Sequence, residues 1–290
     1  MSRRRLVLIS LAGLAWIVAL ILRKGNKRTV RGEWPVNLAH RGASALAPEN
    51  TIEAFRLGVE AGAGGLELDV HMTLDGHIVV IHDATVDRTT NGSGAVSEMI
   101  LDELRRLDAG HNFSPDGGPT RPYRGRDVRV PTLGEVLEEF PEVAVNIEIK
   151  AGTPSIEETV LGVLREANAL GRVLVVSTPH HIVKHFRKIS GGNVSTGASR
   201  WEIGVFYIAS RLRLERLTRP AYDALQVPLR HRGIPVVTPR FLGAAHARGV
   251  RVDAWTINQA DEMRRLLDLG VDVIMTDLPG TLAEVLKRRA

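Results

Sequence analysis

Short apolar runs alternate with segments of helical periodicity along the chain after residue 35. The runs have the length of buried strands, and the intervening patterns have the spacing of amphipathic helices. The predicted strands cover residues 36–40, 65–71, 143–150, 172–178, 194–198, 224–227, 250–257 and 271–276. Eight alternations of strand and helix predict a parallel (β/α)₈ TIM barrel over residues 36–290.

Helix start signals support this pattern. Thr132 with Glu135, and Ser155 with Glu158, have the spacing of a capping box. Between the second and third predicted strands the alternation is interrupted at about residues 84–130. That segment holds RTTNGSG, a helical pattern at 99–110 and a Gly/Pro-rich stretch. We therefore predict a small insertion after the second strand region.

A separate apolar run precedes the predicted barrel. Residues 6–22 are uncharged, and basic residues flank them on both sides. Seventeen residues span roughly 25 Å as a helix, which nearly matches the bilayer core. Because no small-residue cleavage site follows, we favour an uncleaved single membrane helix within residues 1–31 over a cleaved signal peptide. Basic flanks at both ends leave the side of the membrane open.

The net charge of +5 belongs to this N-terminal segment, because eight of the 38 basic residues precede the first acid, Glu33. The remainder is mildly acidic, so no nucleic-acid partner is expected. The chain has no cysteine. That absence excludes a disulfide framework, a thiolate zinc site and a lipid-modified cysteine.

Ionisable residues gather at the predicted strand ends. His40, Glu67, Asp69 and Glu148 lie where the active sites of such barrels form. Glu67 and Asp69 alternate on one strand and share a face. Glu148 lies in an apolar strand, where a cation or the neighbouring Lys150 must compensate its charge. Carboxylates without cysteine favour a hard cation, Mg²⁺ or Ca²⁺.

The sequence also resembles the glycerophosphodiester phosphodiesterase family over nearly everything after residue 36. The shared motifs are HRG at 40–42, PENT at 48–51, AF at 54–55, ExDV at 67–70, DG at 75–76, HD at 82–83, RTTNGSG at 88–94, NIEIK at 146–150, WTIN at 255–258 and GVDVIMTDLPG at 270–280. The resemblance implies metal-dependent hydrolysis of a glycerophosphodiester to glycerol 3-phosphate and an alcohol.

The resemblance also assigns roles to residues. It makes Glu67, Asp69 and Glu148 metal ligands, and His40 and His82 the general acid and base, in an order that the sequence leaves open. Arg41 and Lys150 can supply positive charge to the substrate phosphate.

The family places further residues around the site, and each has an alternative. Glu49 and Asn50 match residues that line the metal site, but Asn50 could instead cap the helix that follows. Trp255 matches a pocket residue but could lie in the core. Asp277 could cap the final helix.

Two other functions remain open. One is a lysophospholipase D that acts on membrane lysophospholipids, with an apolar wall drawn from Phe113, Tyr123, Trp201, Phe206 and Tyr207. The other is a non-catalytic lipid-binding barrel. Loss of a catalytic group would favour that reading, but every group named above is present.

Overall fold

The computed structural model describes residues 34–150 and 156–289. Its strands are β1 (Asn37–His40), β2 (Gly65–Met72), β3 (Ile78–Val80), β4 (Ala144–Ile149), β5 (Val173–Val176), β6 (Ser195–Thr196), β7 (Ala224–Pro228), β8 (Arg230–His231), β9 (Ile234–Pro235), β10 (Arg251–Trp255) and β11 (Val273–Thr276). Eight of them pair in parallel in the order β6-β5-β4-β2-β1-β11-β10-β7. A parallel bridge between Gly197 and Ala224 joins the two ends of this order. The predicted TIM barrel and its eight strands are confirmed.

Helices surround the barrel. They are α1 (Ile52–Glu60), α2 (Leu101–Leu104), α3 (Leu133–Glu139), α4 (Glu157–Glu166), α5 (His180–Ile189), α6 (Arg200–Arg211), α7 (Pro239–His246), α8 (Ala260–Leu269) and α9 (Pro279–Lys287). The predicted capping box of Thr132 and Glu135 begins α3, whereas Ser155 lies outside the described residues. None of the helices in the described ranges is long and apolar enough to cross a membrane. The predicted membrane helix at 6–22 also falls outside those ranges.

The core lies between the strands and the helices. Leu66, Ile147 and other strand residues pack against fully buried helix side chains such as Phe55 and Phe186. On the other side of the barrel, Phe206 and Phe241 meet edge to face with ring centroids 5.8 Å apart. Each buried aromatic side chain of this kind contributes roughly 2–3 kcal/mol, so this packing holds the strand ends in fixed positions.

The barrel interior is polar near the amino ends of the strands. Gln226 donates hydrogen bonds to Asn146 at 2.7 Å and to Asp253 at 3.0 Å. Arg251 forms an ion pair with Asp253 at 2.8 Å. The Trp34 ring covers the Arg251 guanidinium at 4.2 Å and closes this end of the barrel. These contacts satisfy most of the buried polar atoms here, although Nη1 of Arg251 has no hydrogen-bond partner among the described residues.

The segment between β2 and β4 forms the predicted insertion and adds the antiparallel strand β3, which the apolar pattern did not separate. Val79 and Ile81 pack with insertion residues such as Val86, Leu104 and Val128 in one small core.

The helix predicted at 99–110 is present but much shorter, because α2 is a single turn. The Asp108 side chain accepts hydrogen bonds from the backbone amides of Gly110 and Gly125 at 2.9 and 2.8 Å. These side-chain contacts fold the backbone into a turn that competes with the helix.

Candidate active site

Three carboxylates converge at the carboxyl end of the barrel. The parallel register sets His40 beside Glu67, and Asp69 beside Glu148. Each of Glu67, Asp69 and Glu148 offers an oxygen within 4.8 Å of the others. Because alternate residues of a strand share a face, Glu67 and Asp69 both point toward Glu148 on the neighbouring strand. The structure thus brings together the three predicted ligands.

The turn after β1 brings backbone and side-chain groups to this cluster. The Arg41 amide donates to Oε2 of Glu67 at 3.1 Å. Gly42 has φ +85°, and a Cβ there would lie 2.5 Å from the backbone carbon of Ala54. Only glycine allows this close approach of the turn to α1. Asn50 donates to Asp69 Oδ2 at 2.9 Å.

The alternative capping role of Asn50 is wrong, because Thr51 caps α1 by accepting from the Ala54 amide. Asn50 instead has a left-handed φ of +59°. Asparagine tolerates this conformation better than most residues, and the carboxamide is thereby directed to the carboxylate cluster.

Asp69 is buried, and neighbouring cations balance its negative charge. Lys150 Nζ lies 2.8 Å from Asp69 Oδ1 and 2.7 Å from Glu148 Oε2. Arg41 Nε lies 3.2 Å from Asp69 Oδ2. Burial alone would raise the pKa of Asp69, but Lys150 and Arg41 outweigh it and lower the pKa. The lysine that sequence analysis offered as a phosphate ligand is therefore also the ion-pair partner of two carboxylates.

The Glu67 carboxylate has fewer positive charges beside it than the Asp69 carboxylate has. It is 5% exposed, and among the described residues its only ion-pair contact is with His40 Nε2, at 3.9 Å. Burial, reinforced by the neighbouring Asp69, raises its pKa to about 7. A buried carboxylate with so little cationic compensation, facing two further carboxylates, fits an oxygen-seeking divalent cation.

His40 is held by a carboxylate from the far end of the chain. Its Nδ1 lies 2.7 Å from Asp277 Oδ1, and Asp277 also accepts from Ser44 at 2.8 Å and from Asn258 at 2.7 Å. Burial alone would raise the pKa of Asp277, but hydrogen bonds led by that from His40 lower it to about 2. An ionised Asp277 can only accept, so Nδ1 of His40 carries a proton and Nε2 is left for chemistry.

The pKa of His40 follows from the same surroundings. Burial by itself lowers it, but Glu67 and Asp277 outweigh burial and raise it. The proposed capping role of Asp277 on the last helix is not observed, since α9 has no side-chain cap.

His82 is also held by a carboxylate at Nδ1, but it lies outside the barrel strands. Its Nδ1 lies 2.6 Å from Asp83 Oδ1, and Arg88 donates to Asp83 Oδ2 at 2.6 Å. Arg88 also binds both oxygens of Glu49, at 2.8 and 2.7 Å, and Glu49 accepts from Arg41 at 2.9 Å. These contacts form a chain of alternating charges from His82 to the turn after β1. The hydrogen bond from Arg88, followed by that from His82, lowers the pKa of Asp83 to about 2.

Trp255 ends β10 and is 42% exposed, so the alternative core position is wrong. Its place at the carboxyl end of a strand agrees with a pocket residue. The aromatic residues proposed for an apolar wall fall into two groups, one on α6 and one in the insertion. Phe206 lies in the core against Phe241, and Phe113 packs on Tyr123 within the insertion.

Sequence analysis missed the roles of Asp277, Asp83 and Arg88. The first had a usable signal, because strand closure pairs Ala39 with Thr276. The next residue along each strand direction, His40 in one case and Asp277 in the other, must then lie at the same level. Asp83 and Arg88 had no comparable signal, since irregular backbone separates them.

Comparison with known proteins places this site in a family. The model of the glycerophosphoryl diester phosphodiesterase family matches residues 40–281. A glycerophosphodiester phosphodiesterase of Caldanaerobacter subterraneus is 38% identical over 258 residues, covering 87% of this chain and 97% of the relative. A probable glycerophosphodiester phosphodiesterase 2 of Mycobacterium tuberculosis is 33% identical, covering 88% and 91%. An Oleispira antarctica phosphodiesterase, solved with its product sn-glycerol-3-phosphate, superposes with a TM-score of 0.68 at 26% identity, covering 86% and 96%.

Proposed function

This chain belongs to the glycerophosphoryl diester phosphodiesterase family, and we propose that it hydrolyses glycerophosphodiesters to glycerol 3-phosphate and an alcohol. It is a phosphoric diester hydrolase. The observation that supports this substrate most strongly is the meeting of three carboxylates and a carboxylate-held histidine at one barrel mouth.

A divalent cation, Mg²⁺ or Ca²⁺, is the proposed cofactor. Glu67, Asp69 and Glu148 would hold it. The lack of compensating positive charge around the buried Glu67 carboxylate supports its presence. When bound, such a cation supplies Lewis-acid stabilisation of a phosphate oxygen and lowers the pKa of water.

The protein's own cations hold the substrate anion in this proposal. Arg41 and Lys150 lie against Asp69, so both can turn part of their donor capacity toward a phosphodiester. The Arg41 side chain is 19% exposed and that of Lys150 is 17% exposed, so each keeps a part that a phosphate oxygen can reach.

The two histidines move the protons. Asp277 fixes the proton of His40 on Nδ1, and Asp83 does the same for His82. In both rings Nε2 is then the atom that takes a proton from attacking water or gives one to the leaving alcohol. One histidine serves as base and the other as acid.

The experiment that tests this function uses the full chain against a panel of glycerophosphodiesters and lysophospholipids. Activity is measured after exhaustive chelation and after each metal is restored. Release of glycerol 3-phosphate from water-soluble diesters, lost on chelation and regained with Mg²⁺ or Ca²⁺, is expected. Turnover that persists after chelation, or that is confined to lysolipids, would contradict the proposal.

We further propose that residues 6–22 anchor the protein in a membrane. The segment is apolar, uncharged and flanked by basic residues. A full-length chain that resists carbonate extraction and yields to detergent is expected. A mature chain that begins after residue 22, found by mass spectrometry in a soluble fraction, would instead identify a cleaved signal peptide.

A further inference from the structure

One flank of the barrel exposes large apolar side chains. Trp201 and Ile208 lie seven residues apart on α6 and are 51% and 53% exposed, and Leu212, just after the helix, is 60% exposed. This spacing puts them in one stripe along the helix. Leu214 and Leu217, at 36% and 42%, continue the apolar surface beyond the helix.

A hairpin extends the same surface. Tyr207 of α6 donates a hydrogen bond to the Pro235 carbonyl at 3.2 Å, which fixes the β8–β9 hairpin against the helix. Ile234 in this hairpin is 56% exposed. We call residues 200–217 together with 230–234 the arginine-rich flank.

Arginines surround these apolar residues. Seven are exposed on or beside the flank: Arg200, Arg211, Arg213, Arg216, Arg219, Arg230 and Arg232. None of the seven forms an ion pair with a carboxylate of the described ranges. The two acids of the flank are committed elsewhere, because Glu202 pairs with Arg187 and Glu215 pairs with Arg240. The flank therefore carries seven exposed arginines around its apolar stripe, and both of its own acids are already paired.

From this pattern we infer that the arginine-rich flank docks on an anionic lipid bilayer. A basic rim around Trp, Ile and Leu side chains is the composition of interfacial surfaces, which bury apolar residues at the headgroup boundary. The arginines can reach phosphates while their alkyl stems stay beside the apolar stripe. A tryptophan at one end of the stripe suits the same boundary.

A bilayer fits better than a second copy of this chain. In a two-fold symmetric dimer the same patch meets itself, and the seven arginines of one copy would face the seven of the other. Such like-charge contact is costly. The inference rests on neither the proposed substrate nor the proposed anchor, because it uses only side chains of the barrel.

The absence of cysteine allows a direct test on the full chain. Gly204 lies between Trp201 and Ile208 on α6, and a side chain there would meet no atom within 4 Å. Gly204→Cys carries a spin label, and Gly162→Cys on α4 is the matched control because a side chain there also meets open space. The protein is added to vesicles of phosphatidylcholine alone, or of equal parts phosphatidylcholine and phosphatidylglycerol.

On the mixed vesicles the label at 204 should become accessible to oxygen and protected from a water-soluble nickel relaxant, whereas the label at 162 should not change. Each basic residue near an anionic surface is worth about fivefold in binding. Arg211→Gln with Arg219→Gln should thus lower the ratio of immersed to exposed label about 30-fold. Arg106→Gln with Arg126→Gln, two exposed arginines of the insertion, should leave the ratio unchanged.

Two results would overturn the inference. A label at 204 that stays exposed to the nickel relaxant on the mixed vesicles would show that the flank does not enter the bilayer surface. A label that becomes immobilised without vesicles as the protein concentration rises would assign the flank to a second copy of the chain.

Discussion

Replacing Asp277 with asparagine tests whether the carboxylate behind His40 supports catalysis. The substitution keeps the size of the side chain and removes its charge. The introduced carboxamide would still accept one hydrogen bond, but it would not hold an imidazolium in place electrostatically. Because Asp277 contacts Nδ1, on the side of the ring away from Glu67, the carboxylate cluster should keep its geometry.

The expected loss of kcat can be worked out from the contact between His40 and Asp277. The side chains of His40 and Asp277 are 19% and 26% exposed, and the bonded atoms lie 2.7 Å apart. Opposite charges about 4 Å apart near a protein surface interact with about 4 kcal/mol. Residual solvent contact and the remaining donors to Asp277 reduce the effective loss to about 2–4 kcal/mol, which is roughly 30- to 1000-fold in kcat.

The assay is release of glycerol 3-phosphate from a saturating water-soluble glycerophosphodiester, with metal affinity measured by calorimetry on the same samples. The matched control is Asp272→Asn, because Asp272 forms a similar contact with His246 at 2.8 Å away from the carboxylate cluster. The control should retain kcat within about threefold, the usual scale of a surface substitution. An Asp277→Asn enzyme with wild-type kcat, or one that has lost metal affinity to the same extent as activity, would refute the positioning role.

Three further substitutions probe the site. Glu148→Gln should abolish metal-dependent turnover and weaken metal binding in calorimetry, and a variant with full activity would remove this residue from the ligand set. His82→Ala should lose about 10²–10⁴ in kcat. If it is the acid, the loss should be smallest with a nitrophenyl leaving group, and equal losses on both substrate types would make it the base. Arg88→Gln should lower kcat/KM about tenfold, since a charge-assisted contact to Glu49 is worth about 1.5 kcal/mol, while the unfolding midpoint changes little. A collapse of that midpoint would show a structural role instead.

The fold was largely predictable because the barrel strands carry their own signal. Strands such as β2 and β4 are buried on both faces and read as near-continuous apolar runs. The short strand β3 was not predicted as a strand of its own, because its three residues are part of one short apolar run that continues to Ile81. The single-turn helix α2 was overpredicted because periodicity cannot register the side-chain hydrogen bonds of Asp108.

The residues of the site also differ in how far the sequence could predict them. Glu67 and Asp69 were predictable together because two residues on one strand fix their own relative position. Asn50 was ambiguous because its sequence context suits a helix cap, and only the structure shows that Thr51 takes that role while Asn50 has a left-handed backbone. The contact between Asp277 and His40 spans 237 positions. This contact depends on closure of the barrel. The alternation of strands and helices predicts that the barrel closes, but it does not predict which side chains then come within hydrogen-bond distance.

The insertion is part of the proposed catalytic apparatus rather than an appendage of it. His40 receives its carboxylate from the last strand of the barrel, whereas His82 receives Asp83 and Arg88 from the segment that enters the insertion. Arg88 then returns to Glu49 on the barrel. The backbone before His82 is tied to β2, because the Ile81 amide donates to the Asp69 carbonyl at 3.0 Å. The small insertion core packs Ile81 and Val86, which lie on either side of His82. An enzyme that must give and take protons at two points of one phosphodiester needs a fixed distance between the two histidines, and here β2 and the insertion core together hold His82 in place.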